Sequence, residues 1–97
     1  ENGWIKTWMA FEVQGVSKEI VGSAIRQHII KIKNEKNTKV FKEDFKEAIK
    51  IKAPPQFKQR KINNLYSQVV EITLLTQDFE TLTNIVINFG PSAVEVL

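Results

Sequence analysis

The chain has 97 residues, 42% of them hydrophobic and 26% charged, with a net charge of +3. That is one domain's worth of sequence with an ordinary globular composition, able to bury a core without covalent staples. It contains no cysteine, so disulfides, thiolate zinc sites, iron–sulfur clusters and thiol nucleophiles are excluded.

The first element read from the pattern is a strand over Trp4–Val13. Ile5, Thr7, Met9, Phe11 and Val13 alternate with Trp4, Lys6, Trp8, Ala10 and Glu12, the period of two that a strand requires. Gln14-Gly15-Val16 reads as a turn. Ser17 is placed to cap a helix, and Glu19 puts negative charge in its first turn. Ile20, Val21, Ala24, Ile25, His28, Ile29 and Ile32 then recur at three- and four-residue spacing, one apolar stripe of an amphipathic helix. The helix should end between Asn34 and Asn37.

Val40–Ala53 is ambiguous. Phe41, Phe45, Ala48 and Ile49 fit a helix, whereas Phe41, Phe45, Ile49 and Ile51 share strand parity. The reading adopted is a strand over Lys46–Ala53, preceded by a bend or bulge and stopped by Pro54-Pro55. Pro54–Leu65 follows as a long loop carrying Lys58, Arg60 and Lys61. Tyr66–Thr76 is the next strand, with Tyr66, Val70, Ile72 and Leu74 inward and Ser67, Val69, Glu71, Thr73 and Leu75 outward. Asp78 caps a second helix whose stripe is Phe79, Leu82, Val86 and Phe89, flanked by Ile85 and Ile87. Gly90 followed by Pro91 is a strong stop. Ser92–Leu97 alternates as a last strand.

The predicted order is β-α-β-β-α-β over a single domain, residues 1–97. This is an α+β, ferredoxin-like sandwich: a four-stranded antiparallel sheet in the order 4-1-3-2 with both helices on one face. No apolar run reaches the roughly 20 residues needed to span a bilayer, and Glu1-Asn2-Gly3-Trp4 has no signal-peptide character. The absence of an initial Met, and a stop inside a strand pattern, point to trimming at both ends.

Three stretches carry a resemblance: Gly3-Trp4-Ile5, Asp78-Phe79-Glu80-Thr81-Leu82, and above all Val86-Ile87-Asn88-Phe89-Gly90-Pro91-Ser92-Ala93-Val94-Glu95-Val96-Leu97. They resemble a family of short, uncharacterised archaeal proteins of about this length. The resemblance implies a cytoplasmic archaeal protein and is consistent with the ferredoxin-like fold. It transfers no catalytic residue.

Catalytic and cofactor motifs are missing. Glycines 3, 15, 22 and 90 match neither GxGxxG nor GxxxxGK[ST], and there is no GxSxG elbow. Acylphosphatases share the topology but need an arginine after the first strand, where this chain has Gln14-Gly15-Val16. No spacing matches a metal motif, so no cofactor or metal is expected. The lone His28 reads as a hydrogen-bonded core or boundary residue rather than a catalyst. Glu43-Asp44-Glu47 is interleaved with lysines as on a solvated face, and Asp78 with Glu80 is explained by capping. Glu12, Glu71 and Glu95 should share the open face of the sheet, where pairing with Lys6, Lys46 or Lys50 is the simplest reading.

Charge is uneven. Lys31–Lys61 holds eleven Lys or Arg against four acids, so that segment is +7 and the remainder −4. Lys50, Lys52, Lys58, Arg60 and Lys61 form a candidate patch for nucleic acid or another anion. The outward residues of the 66–76 strand lack the aromatic platform of an RNA-binding sheet. The leading expectation is instead a non-enzymatic interaction or ligand-sensing domain. Trp4 and Trp8, with Val69 and Leu75, would point away from the helices, and exposed tryptophans call for a partner; a homo-oligomer through the open sheet face supplies one. A nucleic-acid-associated protein is the alternative. An enzyme using His28 and the open-face glutamates ranks third.

Overall fold

The computed structural model describes residues 3–52 and 64–97. Its elements are β1 (Ile5–Gly15), α1 (Lys18–Lys33), β2 (Thr38–Phe45), β3 (Ile49–Lys52), β4 (Asn64–Thr76), α2 (Phe79–Phe89) and β5 (Ala93–Val96). The fold is α+β: among the described residues, two helices and an antiparallel sheet of five strands, in the order β2-β4-β1-β5, with β3 also bonded to β4. This corrects the expected four-stranded sheet in the order 4-1-3-2. The strand expected over Lys46–Ala53 is replaced by β2, which starts at Thr38, and the short β3, with a break between them.

That break has a local cause. β2 pairs with Thr76 through Val70 and β3 with Ser67 through Asn64, both along the same edge of β4. Between them the Lys46 amide donates to the Val69 carbonyl at 2.9 Å, and the Gln68 side-chain amide donates to the Lys46 carbonyl at 2.9 Å. A side chain thus satisfies backbone that regular pairing leaves free. Within β2 the register shifts between Val40 and Lys42, so Phe41 is the extra residue of a β-bulge. The bulge puts Val40 on the helix side and Lys42 on the other, then returns Glu43 to the helix side, where it pairs with Lys33 of α1.

β1 runs to Gly15, two residues beyond the strand expected from Trp4–Val13, and the turn contracts to Val16-Ser17. A Cβ at Gly15 would come within 3.0 Å of Val21 Cγ2. The glycine lets the first turn of α1 fold down closely on the strand end. Ser17 caps α1 by accepting the Ile20 amide at 3.1 Å. The buried residues of α1 are Val21, Gly22, Ile25, Ile29 and Ile32, whereas Ile20 and Ala24 face solvent. The apolar spacing is therefore wider than the face that packs.

In α2 the buried positions are Leu82 and Ile85, with Val86 and Phe89 packed at the margin and Phe79 exposed. Ile85, expected as a flank, is core, and Phe79, expected as core, is surface. The helix ends at Gly90, whose φ of 58° is left-handed and whose amide donates to the Val86 carbonyl at 3.1 Å, as a glycine stop requires.

One core holds these elements. Met9 and Phe11 of β1, Val70, Ile72 and Leu74 of β4, Ile25, Ile29 and Ile32 of α1, and Leu82 and Ile85 of α2 form a single buried cluster. Both helices therefore cover the same side of the sheet. Register explains the strand contributions. Met9 opposes Ile72, Phe11 opposes Val70 and Thr7 opposes Leu74, so odd positions of β1 and even positions of β4 share the helix side.

The Asp78 cap of α2 makes a pH prediction. Its carboxylate accepts the Thr81 backbone amide at 2.8 Å. That backbone hydrogen bond, aided by the Thr81 side chain, holds the Asp78 carboxyl below its ordinary value. The folded pKa lies below the unfolded one. The cap's contribution is therefore full above the unfolded carboxylate pKa and is lost as pH falls through the folded value. Asp78→Asn should flatten the acid limb of a stability–pH curve and leave stability near neutral pH little changed, since Asn caps about as well. An unchanged acid limb in urea titrations across pH would refute this.

Candidate functional site

The sheet face away from the helices is the candidate site. It is built from even positions of β1 and odd positions of β4, which oppose one another as Lys6–Leu75, Trp8–Thr73, Ala10–Glu71, Glu12–Val69 and Gln14–Ser67. β5 adds Glu95 beside Trp8 and Ala93 beside Ala10. β2 adds Lys39 beside Leu75, Lys42 beside Thr73 and Asp44 beside Glu71.

The centre of this face is a polar network. The Trp8 indole Nε1–H donates to Glu71 Oε1 at 3.2 Å. Lys46, from the break between β2 and β3, bonds Asp44 at 2.6 Å and lies 3.7 Å from Glu71. The hydrogen bond to Asp44, with a smaller contribution from Glu71, holds the Lys46 amine above its ordinary value. Ser67 Oγ–H donates to Glu12. Ala10, Ser67 and Thr73 are consequently buried although they lie on the outward side. The expected pairing of open-face glutamates with lysine is realised at Lys46 and Glu71. Among the described residues no cluster of three or more His, Asp or Glu side chains is arranged to hold a metal.

One end of the face is apolar. Leu75 is half-buried, Phe41 is exposed at the bulge, and Trp4, immediately before β1, is 38% exposed. Lys6 lies over the Phe41 ring, 5.5 Å from its centroid, a cation–π arrangement. Lys6, Lys39, Phe41 and Leu75 line an open hollow of about 330 Å³.

The sequence-derived interface residues are thus only partly assembled. Trp8 and Leu75 are near neighbours across β1 and β4, and Trp4 adjoins their end of the sheet. Val69 opposes Glu12, four positions along β4 from the partner of Trp8, or roughly 13 Å at strand rise. It belongs to the far end. Trp8 itself is half-buried with its N–H satisfied, less exposed than alternation suggests. Phe41 was missed because parity cannot reveal which residue a bulge ejects. Lys46 was named as a partner for the glutamates, but its bond to Asp44 depends on a break that only pairing with β4 creates.

Of the candidate cationic patch, two residues fall among the described ones and share one side of β3. Lys50 and Lys52 are exposed on β3, opposite Tyr66 and Asn64. Lys58, Arg60 and Lys61 lie outside the described residues.

His28 sits at the margin of the core. Its Nε2–H donates to the Phe89 carbonyl at 2.8 Å. Its ring meets Phe11 and Phe89 edge-on, with centroids 5.0 and 5.4 Å away. Phe89 is the last residue of α2, so His28 occupies one of the carbonyls a helix end leaves free. This is a structural task, as the sequence reading favours.

No helix of the described residues is long and apolar enough to cross a membrane. Comparison with curated proteins gave no match, and comparison with solved structures gave none either. A family model does match, over residues 6–97, nearly the whole chain and including the Asn88–Leu97 run in which the resemblance was strongest: the chain belongs to the MJ0538 family.

Proposed function

We propose that this protein is a non-enzymatic interaction domain of an archaeal cytoplasm that assembles with its own kind through the open face of its sheet, a surface on which ligand sensing would also reside. The observation that supports this is the apolar end of that face, where Trp4, Phe41 and Leu75 lie exposed or half-exposed around Lys6. Exposed aromatic side chains are what interface centres use, and a lysine at their side suits the rim. The polar centre, with Trp8, Glu71, Asp44 and Lys46 mutually satisfied, would add specificity, at a desolvation cost that the apolar end has to offset. An affinity with ferredoxin-like domains belongs to the same reading. It is supported by the helix that follows the first strand and the helix that precedes the last.

Solution mass by light scattering, at two protein concentrations and two salt levels, tests the proposal. The protein should be larger than a monomer, with little salt dependence. The pair Trp4→Ser and Phe41→Ser should weaken association about 30-fold or more, the loss of roughly 2 kcal/mol expected of a buried aromatic anchor. A mass that neither substitution alters would remove the open face from consideration.

A further inference from the structure

The two edges of the sheet are treated differently. The outer edge formed by β2 and β3 has several devices that discourage stray pairing. It carries the bulge at Phe41, the break at residues 46–48, and exposed Lys39, Lys42, Lys46, Lys50 and Lys52. The opposite edge, β5, is short and carries one charge, Glu95, but has neither bulge, break nor lysine. Its sequence is Ala-Val-Glu-Val, it pairs regularly with Thr7–Ala10 of β1, and its four residues are all exposed.

The free ladder groups of β5 can be identified. The Leu97 amide donates to the Lys6 carbonyl at 2.9 Å, continuing the β1–β5 register. In an antiparallel ladder the inward-pointing residues alternate. Glu95 and Ala93 therefore bond inward, and the amides and carbonyls of Val94 and Val96 face out. Their side chains lie on the helix side, 41% and 52% exposed.

The helix layer matches this edge. Glu80, Thr81 and Asn84 of α2 line a hollow of about 480 Å³ with residues 34–37 at the end of α1, so that flank of α2 faces α1. Phe79 and Thr83, four residues apart, lie on the other flank, and Ile87 carries the row onto the outward side of the helix. Phe79 is 65% exposed and Ile87 72%. Among the described residues, an unpaired strand edge with two exposed valines thus lies away from α1, and α2 carries an exposed apolar row of its own.

We infer that the β5 edge, with the Phe79–Ile87 row of α2, is the pairing surface for a second copy of this chain, which adds its own β5 antiparallel about a two-fold axis. The occupant must present a strand edge and an apolar helix row, and this chain does. Register is selected by charge. A two-fold on Glu95 would set Glu95 against itself. A two-fold on Val94 opposes Val94 with Val94 and Glu95 with Ala93, and it joins the outward groups of Val94 across the axis. Phe79 as an aromatic side chain can bury about 150–250 Å², to which the exposed side chains of Ile87, Val94 and Val96 add in each copy. The pair, with backbone and flanking atoms, reaches the roughly 1,000 Å² a specific interface needs. This two-fold stands perpendicular to the sheet, whereas packing of open faces would use an axis in its plane. The two contacts are independent and together would close a four-copy assembly.

The chain has no cysteine, so Val94→Cys gives an unambiguous probe. Opposed Cα atoms of a hydrogen-bonded pair, about 5.5 Å apart, lie within disulfide reach. Mild oxidation of Val94→Cys should yield a covalent dimer, whereas Lys50→Cys on the defended edge should not. Val94→Pro removes only an outward N–H and should halve the solution mass. Ile87→Lys, at an exposed position that leaves the core intact, should do the same. In wild type the Val94 and Val96 amides should be protected from hydrogen exchange, and protection should fall on dilution. The Trp4→Ser and Phe41→Ser changes should leave the Val94→Cys crosslink intact, which separates this contact from the open face. Freely exchanging Val94 and Val96 amides at high concentration would overturn the inference. So would a mass indifferent to both Val94→Pro and Ile87→Lys.

Discussion

Ile25→Ala should lower the unfolding free energy by about 2–5 kcal/mol, the range for deleting a buried branched side chain, whereas Ile20→Ala should cost no more than about 0.5 kcal/mol. Both isoleucines belong to the same three-and-four spacing in α1. Ile25 is fully buried among Met9, Phe11, Ile29 and the β4 residues, and Ile20 is 55% exposed. A cavity under α1 cannot close, because residues of both strands and both helices surround it. Against a total stability of about 5–15 kcal/mol, the larger figure would unfold much of the population near physiological temperature. For a chain of this size each kcal/mol moves the melting temperature by about 4–8 °C. Urea unfolding of both variants decides the matter. Equal losses would mean that α1 is rotated about its axis from the orientation described.

His28→Ala should cost about 2–4 kcal/mol, combining a partly buried hydrogen bond at about 1–3 kcal/mol with edge-on contacts to two aromatic rings. Removing the imidazole leaves the Phe89 carbonyl at the end of α2 without its donor, and it opens the contact between α1 and α2 that the rings of Phe11 and Phe89 share with it. The loss should fall on α2 first, seen as faster hydrogen exchange in Val86–Phe89 than in α1. A catalytic or ligand role for the only histidine predicts the opposite pattern, a folded variant of unchanged stability. Calorimetry with residue-level exchange separates the two.

What these substitutions test is also where sequence and structure part. Strand parity in β1 and β4, the Ser17 and Asp78 caps and the Gly90-Pro91 stop were legible because each depends on a few neighbouring residues. Alternation selects a face, a hydroxyl or carboxylate reaches an amide two or three positions on, and a glycine accepts a left-handed φ. The second strand was not legible. Its bulge at Phe41 and its break at 46–48 exist because β4 is long enough to pair with both halves, and Gln68 and Val69 supply the hydrogen bonds that make the interruption tolerable. Helix faces were legible only in part. Spacing marks Ile20 and Phe79 as apolar, but which side of the stripe meets the sheet is fixed by how the helix docks.

The candidate site divides the same way. That Trp8, Glu71 and Leu75 share a face followed from parity. That Trp8 is tied to Glu71, that Lys46 bridges Asp44 and Glu71, and that Val69 stands apart required strand register, which brings together residues more than sixty positions apart. The sequence by itself determined a cysteine-free α+β chain with two capped helices and its alternating strands, because local stereochemistry and composition act within a few residues. Only the tertiary structure decided which edge is defended and which is open, because an edge is a property of strand order, and strand order arises from long-range pairing.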